Sequence, residues 1–228
     1  MLKLYHIPLS ANSRRVWITL LEKKLPFEQV LLKLDGDQYQ PEFLEINPFH
    51  HIPVLVDDGF RVVDSLAILD YLEAKYPTPS LLPTDAKALA IVRMVELVTI
   101  NELWSPMIRL SSEAMGFVKN DPQKLEKARQ QVLKVLNFFE SLLGDSPYFG
   151  RDSQCDRSAS CLTLGDIAAG TMVPQLPSIG VPLDDYPKLS AWCDRLMERD
   201  SWATTEPSPE AIEASLPQIK ALMTAYLT

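Results

Sequence analysis

The sequence predicts an α+β protein, with a small α/β sheet domain followed by an all-helical domain. Its first part alternates strand-like and helix-like runs, whereas the residues after position 84 show helical periodicity only. Between these parts, the segment 76–83 contains three prolines, which stiffen a linker. We therefore expect a sheet domain at 1–77, a linker at 78–84 and a helical domain at 85–228.

The sheet domain begins with a strand, a turn, a helix and a second strand. The apolar run 2–7 predicts the first strand, and the helix-capping residues at 10–13 precede the helix. Pro26 ends that helix, and the run 27–34 predicts the second strand. A strand, a helix and a strand in this order form a right-handed parallel unit.

A proline stands at the entrance of the predicted hairpin 54–63, whose turn lies at 57–59. Proline at such a point either opens a strand or marks a cis peptide bond. Trans is the commoner state of bonds to proline, but the motifs described below favour a cis Ile52-Pro53 bond.

Asp64-Ser65 then starts another helix. Backbone groups beside a proline bulge and a helix N-terminus suit a small peptide-like anion.

The helical domain carries start and stop signals for its helices. One helix is predicted from Asp121 to Leu143, with a proline at its start and a glycine after its end. The segment 163–166 is a capping box, which nucleates a helix and has no chemistry of its own. The polar loop 144–161 is unusually long, and we interpret it as an insertion.

Composition limits the classes of function. The chain has 228 residues, of which 46% are hydrophobic, and a net charge of -8 without a Lys/Arg cluster. This argues against nucleic acid and an anionic membrane surface as partners. No run has the character of a signal peptide or the length of a membrane span, so we expect a cytoplasmic protein without membrane association.

The cysteines and histidines do not form a metal-binding pattern. The chain has three of each, and no C-x-x-C spacing occurs. We therefore expect no metal and no prosthetic group. For Cys155 and Cys161 we expect free thiols, with a disulfide inside their loop as the alternative.

Several short motifs, taken in order, resemble the cytosolic glutathione transferase family. Each motif is weak alone, but the ordered set is specific and spans essentially the whole chain. The resemblance implies a thioredoxin-like first domain with a cis proline, an all-helical bundle as the second domain, and a homodimer. The motifs are Leu4-Tyr5, Ser10-Ala11-Asn12-Ser13-Arg14-Arg15-Val16, Asn47-Pro48-Phe49-His50-His51-Ile52-Pro53, Asp64-Ser65 and the capping box before Ile167.

Ser10 matches the serine that contacts the glutathione sulfur in theta-, delta-, phi- and zeta-like classes. A thiol of pKa ~8.5 is only about 3% ionised at pH 7, and lowering its pKa by ~2 units requires ~2.7 kcal/mol. A hydrogen bond donated to a charged group supplies ~1.5 to 3 kcal/mol, so one hydroxyl suffices. The alternative is that Ser10 serves only as a helix cap.

The resemblance also implies the other groups that bind glutathione. They are Ile52 and Pro53 at the cysteinyl unit, Asp64 and Ser65 at the γ-glutamyl end, His50 at the glycyl carboxylate and Gln38 as a further polar ligand. Leu66 stands where delta-like members have an arginine. As alternatives, the pair at 64–65 serves only as helix caps and His50 is an ordinary loop histidine.

Formation of the thiolate accelerates the attack on an electrophile only slightly. The thiolate fraction rises roughly 25-fold, but the nucleophilicity of sulfur falls with its pKa, which leaves a gain of about threefold. The rest must come from positioning a small hydrophobic electrophile, and we assign this task to apolar side chains of the helical domain. The candidates are Met107, Ile108, Met115 and Phe117, for which plain helix core is the alternative.

The leading hypothesis is an enzyme that uses glutathione as co-substrate. No cysteine precedes position 155, which excludes a glutaredoxin-like mixed disulfide and leaves conjugation, dehalogenation, isomerisation or peroxide reduction. The alternatives are a non-catalytic protein-interaction module and a protein that sequesters apolar ligands, because fold does not settle function. Arg14 and Arg15 could attract the anionic tripeptide, but we expect a solvated charge at each. His51 is expected to be a loop histidine, and His6 structural or solvent-facing.

Overall fold

The structure is a computed structural model, and it describes residues 1–33, 36–151 and 161–227. Within these ranges, no helix is both long enough and apolar enough to cross a membrane. Residues 152–160 of the insertion predicted at 144–161 lie outside the described residues.

The described chain divides into two compact units. The first comprises Met1–Ser80 together with Arg199–Gln218, and the second comprises Leu81–Glu198 and the residues after Gln218. The pattern of the sequence predicts that all of 85–228 belongs to the helical domain. The membership of Arg199–Gln218 in the first unit therefore differs from that assignment, and buried charges on the first helix account for it, as described below.

Among the described residues, the first unit contains a mixed sheet of four strands. These are β1 Leu2–His6, β2 Phe27–Leu31, β3 Val54–Asp57 and β4 Phe60–Val63. Their order in the sheet is β2-β1-β3-β4. Strands β1 and β2 run parallel, whereas β3 runs antiparallel to both β1 and β4. The parallel pair and the hairpin confirm the arrangement predicted from the sequence.

Helices make up most of the remaining described chain. They are α1 Ala11–Glu22, α2 Pro41–Leu44, α3 Ser65–Lys75, α4 Ala86–Val98, α5 Trp104–Ala114, α6 Pro122–Leu143, α7 Leu164–Gly170, α8 Pro187–Met197, α9 Asp200–Thr205 and α10 Pro209–Leu227. A π-helical turn, Thr99–Leu103, joins α4 to α5, and short 3₁₀ turns cover Asp37–Tyr39 and Val173–Ile179. The predicted start of α6 at Asp121 and its end before Gly144 are confirmed.

Helix α1 organises the first unit because it packs against both α3 and α9. Its inner face presents Val16 and Leu20 to a core that also contains Leu4 and Leu55 of the sheet and Ile68 of α3, all of them completely buried. Burial of such side chains stabilises the fold by about 1.5 to 3 kcal/mol each. Since α1 follows β1 after a short turn, the sheet fixes where the helix begins.

Helix α9 belongs to the first unit because this helix and its flanking residues pair with charged side chains of α1. Arg14, expected as a solvated charge, is instead only 4% exposed. Its Nε donates to the Thr205 hydroxyl at 3.2 Å, and its guanidinium forms an ion pair with Glu206. At the other end of α1, Glu22 accepts a hydrogen bond from Arg199 at 2.6 Å. A buried charge is tolerated only when it is paired and hydrogen-bonded, so these contacts hold the segment on α1.

In the second unit, a buried carboxyl lies at the start of α7. The predicted capping box is confirmed, because Thr163 and Asp166 each accept the backbone N–H of the other. Asp166 also accepts hydrogen bonds from the Trp192 indole at 2.8 Å and from the Phe149 N–H at 2.9 Å. Burial raises the pKa of Asp166 to about 6. One side chain thus connects three segments of this unit.

The cysteines differ from the sequence expectation. Cys161 is disulfide-bonded, so the prediction of a free thiol there is wrong. The redox compartment on which that prediction relied carries no information about which side chains the fold brings together. Cys155 lies outside the described residues. Cys193 in α8 is a free thiol, and burial raises its pKa to about 12.

We expect Asp166 to make the stability of the fold depend on pH. Its pKa is about 6 in the folded chain against an ordinary value of 3.8, so between these values the folded state holds a proton that the unfolded state releases. The contribution of this group is fully present below the lower value and is lost as pH rises through the higher one, by about 3 kcal/mol in total.

Urea unfolding of the parent and of Asp166→Asn, from about pH 4 to about pH 7, measures this effect. The free energy of unfolding of the parent should fall relative to that of the variant as pH rises. A difference between the two proteins that stays constant with pH contradicts the assignment.

Candidate functional site

Ser10 lies at the N-cap of α1, after the short turn that follows β1, as predicted. Its side-chain oxygen accepts the Ser13 N–H at 3.4 Å, and the Ser13 hydroxyl accepts the Ile7 N–H at 3.4 Å. These contacts fix the turn between strand and helix. Because the cap uses the Ser10 oxygen only as an acceptor, the hydroxyl hydrogen can still be donated to another group. The half-buried Ser10 can therefore cap the helix and also stabilise an anion at its N-terminus.

The segment before β3 contains the predicted cis bond between Ile52 and Pro53. Asn47 shapes this segment, because its side-chain amide donates to the His51 carbonyl at 2.8 Å and its side-chain oxygen accepts the Phe49 N–H at 3.0 Å. Among the described residues, the backbone of Ile52 takes part in no loop or strand hydrogen bond. An extended peptide-like ligand can pair with that backbone.

Asp64 and Ser65 lie at the start of α3. Asp64 has a positive φ of 72°, an unusual conformation for a residue other than glycine, and its carboxylate accepts the Leu66 N–H at 3.0 Å. Its cap role is therefore confirmed, while the side chain stays exposed. Ser65 is the first residue of the helix and is buried. The two side chains, with the free N–H groups of the helix start, suit an anionic group.

Arg15 lies in this region and is buried, contrary to the prediction from the sequence. It was expected as a solvated charge, but it is completely buried. Its Nη1 donates to the Asn12 side-chain oxygen at 2.5 Å and lies 3.5 Å from the Ser65 hydroxyl. An arginine on a predicted helix carries no local signal that it points inward, since its contact with Ser65 lies 50 positions away in sequence.

Gln38 and His50 come from two segments that meet. Gln38 is 8% exposed in its 3₁₀ turn, and its side-chain oxygen has no hydrogen-bond partner among the described residues. His50 is exposed, has a positive φ of 49°, and its ring centroid lies 4.9 Å from that of Tyr39. The neighbouring His51 ring contacts His50 edge-on at 5.4 Å. The Tyr39–His50 contact thus brings together the turn of Gln38 and the loop of His50.

His6 takes the structural one of its two expected roles. It is completely buried, its Nε2 lies 3.1 Å from the Gln29 side-chain oxygen, and its ring meets Trp17 edge-on at 5.2 Å. Burial lowers its pKa, so the neutral form is favoured. Over the part of the chain that the structure describes, no three His, Cys, Asp or Glu side chains are grouped in a way that could hold a metal ion.

The four residues expected to contact an electrophile have different environments. Met107 on α5 is buried, Ile108 and Phe117 are half-buried, and Met115 is 45% exposed just after α5. None of them lines the cavity of about 360 Å³ found in the second unit. That cavity is lined by Pro174, Pro177, Pro182, Leu183, Asp184, Ser190, Cys193, Asp194 and Met197.

Comparison with known proteins gives a family for both parts of the chain. The family "Glutathione S-transferase, N-terminal domain" matches residues 4–80, and "Glutathione S-transferase, C-terminal domain" matches residues 122–195. Glutathione S-transferase F10 of Arabidopsis thaliana is 31% identical over 208 residues, which cover 86% of this chain and 93% of that protein. Glutathione S-transferase 1 of Manduca sexta is 34% identical over 205 residues, which cover 86% and 88%.

A solved structure extends the likeness to the arrangement of the backbone. Rice GST1 in complex with glutathione has a TM-score of 0.80 and 26% identity, and the match covers 99% of this chain and 97% of that chain. The matched domains span most of the residues described above as the candidate site. The chain belongs to the glutathione S-transferase family.

Proposed function

We propose that this protein is a glutathione transferase, which binds glutathione in its first unit and directs the thiolate at a small hydrophobic electrophile. The observation that carries this proposal is the position of Ser10 at the N-cap of α1, with its hydroxyl hydrogen available to the sulfur. The names of the relatives and the glutathione complex of rice GST1 support it. We further propose a cytoplasmic homodimer without a metal or a prosthetic group.

The proposed binding mode uses groups that lie on separate segments of the first unit. The Ile52 backbone pairs with the cysteinyl unit beside cis Pro53, and the start of α3 at Asp64 and Ser65 receives the γ-glutamyl end. Gln38 and His50, on two segments that meet, bind the glycyl end of glutathione, with His50 at its carboxylate. Gln38 supports this role because its buried side chain has an unused hydrogen-bonding atom among the described residues, and an amide can turn to present its N–H₂ instead.

The proposed chemistry begins with stabilisation of the glutathione thiolate. The Ser10 hydroxyl donates a hydrogen bond to the sulfur, and the free N–H groups at the start of α1 add a smaller favourable field. The thiolate then attacks the electrophilic carbon and the carbon–sulfur bond forms. In a substitution, the bond to the leaving group breaks and the leaving group departs with its electron pair. In an addition, the electron pair of the broken π bond stays on the electrophile, which takes up a proton from water. Apolar side chains of the second unit, for which we propose Met107, Ile108, Met115 and Phe117, would favour a hydrophobic substrate.

We expect Ser10→Ala to raise the pKa of the bound glutathione thiol by about 1 to 2 units, because the thiolate loses a hydrogen bond. The measurement is the thiolate absorbance of the glutathione complex against pH. Conjugation of chlorodinitrobenzene at neutral pH should fall at least about threefold, and more if Ser10 also positions the sulfur.

Ser10→Asp separates the donor role from the cap role. An aspartate caps a helix as well as serine does, but its carboxylate cannot donate and repels a thiolate. We expect this variant to unfold at a urea concentration near that of the parent while the thiol pKa stays at its free value. If Ser10→Ala leaves the thiol pKa depressed, Ser10 is only a cap; if the parent does not bind glutathione, the proposal is wrong.

His50→Ala should raise the KM for glutathione about tenfold with little change in kcat, because a contact to the glycyl carboxylate binds the ground state and the transition state alike. His51→Ala is the matched control, since it removes the adjacent imidazole and should leave KM within about twofold. Equal effects of the two substitutions on KM would assign the loss to the loop as a whole and not to His50.

A further inference from the structure

The buried guanidinium of Arg15 lies between two polar side chains of the first unit. Its Nη1 is 2.5 Å from the Asn12 side-chain oxygen and 3.5 Å from the Ser65 hydroxyl oxygen. Arg15 itself is completely buried and Ser65 nearly so. The arginine therefore links α1, which begins at Ser10, to the first residue of α3.

The direction of the contact with Ser65 follows from the chemistry of the two groups. A guanidinium can only donate hydrogen bonds, so the Ser65 oxygen must be the acceptor. A serine hydroxyl has one hydrogen, and this contact leaves that hydrogen to be donated elsewhere. The backbone at Ser65 belongs to the start of a helix of 11 residues, whose first N–H groups can bind an anion. The same anion can receive the Ser65 hydrogen.

We propose that Arg15 is a positioning residue for the γ-glutamyl carboxylate of glutathione, an inference that rests on the function proposed above. Its Nη1 donates a hydrogen bond to the Ser65 oxygen. The Ser65 hydroxyl hydrogen is thereby directed toward the carboxylate. Arg15 does not touch the substrate in this arrangement and acts through Ser65.

Helix α1 also carries Ser10, the residue proposed above to face the glutathione sulfur. Ser10 caps α1 and Arg15 lies in its second turn, so one rigid element sets both ends of the binding site for the cysteinyl–γ-glutamyl part of the ligand. Asn12, which accepts the short hydrogen bond from Arg15, limits the rotation of the guanidinium. Loss of Arg15 should therefore affect glutathione binding more than the chemical step.

Arg14 provides a matched control on the same helix. It is also buried, but its guanidinium contacts Thr205, Glu206 and the Trp202 carbonyl instead of Ser65. Removal of either arginine takes one guanidinium out of the first unit. Only removal of Arg15 takes away the partner of Ser65.

The experiment is a double-mutant cycle on the full chain, with Arg15→Met, Ser65→Ala and the double variant, and with Arg14→Met as control. The dissociation constant for glutathione is measured by calorimetry, and KM and kcat with chlorodinitrobenzene. We expect Arg15→Met to weaken glutathione binding about tenfold, with kcat at saturating glutathione within about threefold of the parent. In the Ser65→Ala background the same substitution should weaken binding by less than about twofold. Arg14→Met should leave the dissociation constant within about twofold of the parent.

The outcomes separate this inference from the proposed function. If the parent binds glutathione but Arg15→Met weakens binding equally with and without Ser65, Arg15 does not act through Ser65 and the inference is wrong. Equal loss of binding in Arg14→Met would likewise overturn it, because the effect would then be a general one on the unit. If the parent does not bind glutathione, the proposed function itself fails. Should the methionine variants unfold, Arg15→Lys and Arg14→Lys repeat the comparison, because lysine keeps the charge but lacks the fork-shaped donor. Weaker glutathione binding in Arg15→Lys than in Arg14→Lys supports the inference, and equal binding by the two variants overturns it.

Discussion

Two adjacent arginines on α1 lose almost all contact with solvent, and the order of the first unit depends on how their charges are accommodated. Removing a charged group from water costs several kcal/mol unless hydrogen bonds and an opposite charge replace the lost hydration. Arg14 meets this requirement with α9 and the residues after it, and Arg15 has Asn12 and Ser65 among its contacts. The requirement makes α1 the element on which distant parts of the chain converge.

In the second unit, a buried carboxyl group likewise needs hydrogen-bond partners in place of water. Asp166 is completely buried, and it accepts hydrogen bonds from the backbone and side chain of Thr163, from the Phe149 N–H and from Trp192. Gly165 beside it allows α7 to approach α4, since a side-chain carbon there would come within 3.2 Å of the Val92 carbonyl. Buried polar groups in both units thus act as junctions that specify which segments meet.

Local chemistry made much of the fold and site predictable. Ser10, Asp64 and Thr163 are recognised as helix caps because a cap depends on residues within about four positions, and the hairpin follows from alternation and its turn. The burial of Arg14 was not predictable, because its partner Thr205 lies 191 positions away. The return of α9 to the first unit likewise depends on proximity in space, which local patterns do not report.

The return of Arg199–Gln218 to the first unit also bears on how the chain folds as it is synthesised. The ribosome releases the first 80 residues of this unit well before the segment that completes it, which follows roughly 120 residues later. At about 5 to 20 residues per second, that delay is on the order of 10 s. During it, Arg14 and Glu22 are without the side chains that hold them in the finished molecule, so α1 must remain hydrated on that face. The first unit therefore becomes complete only after nearly all of the second has been made.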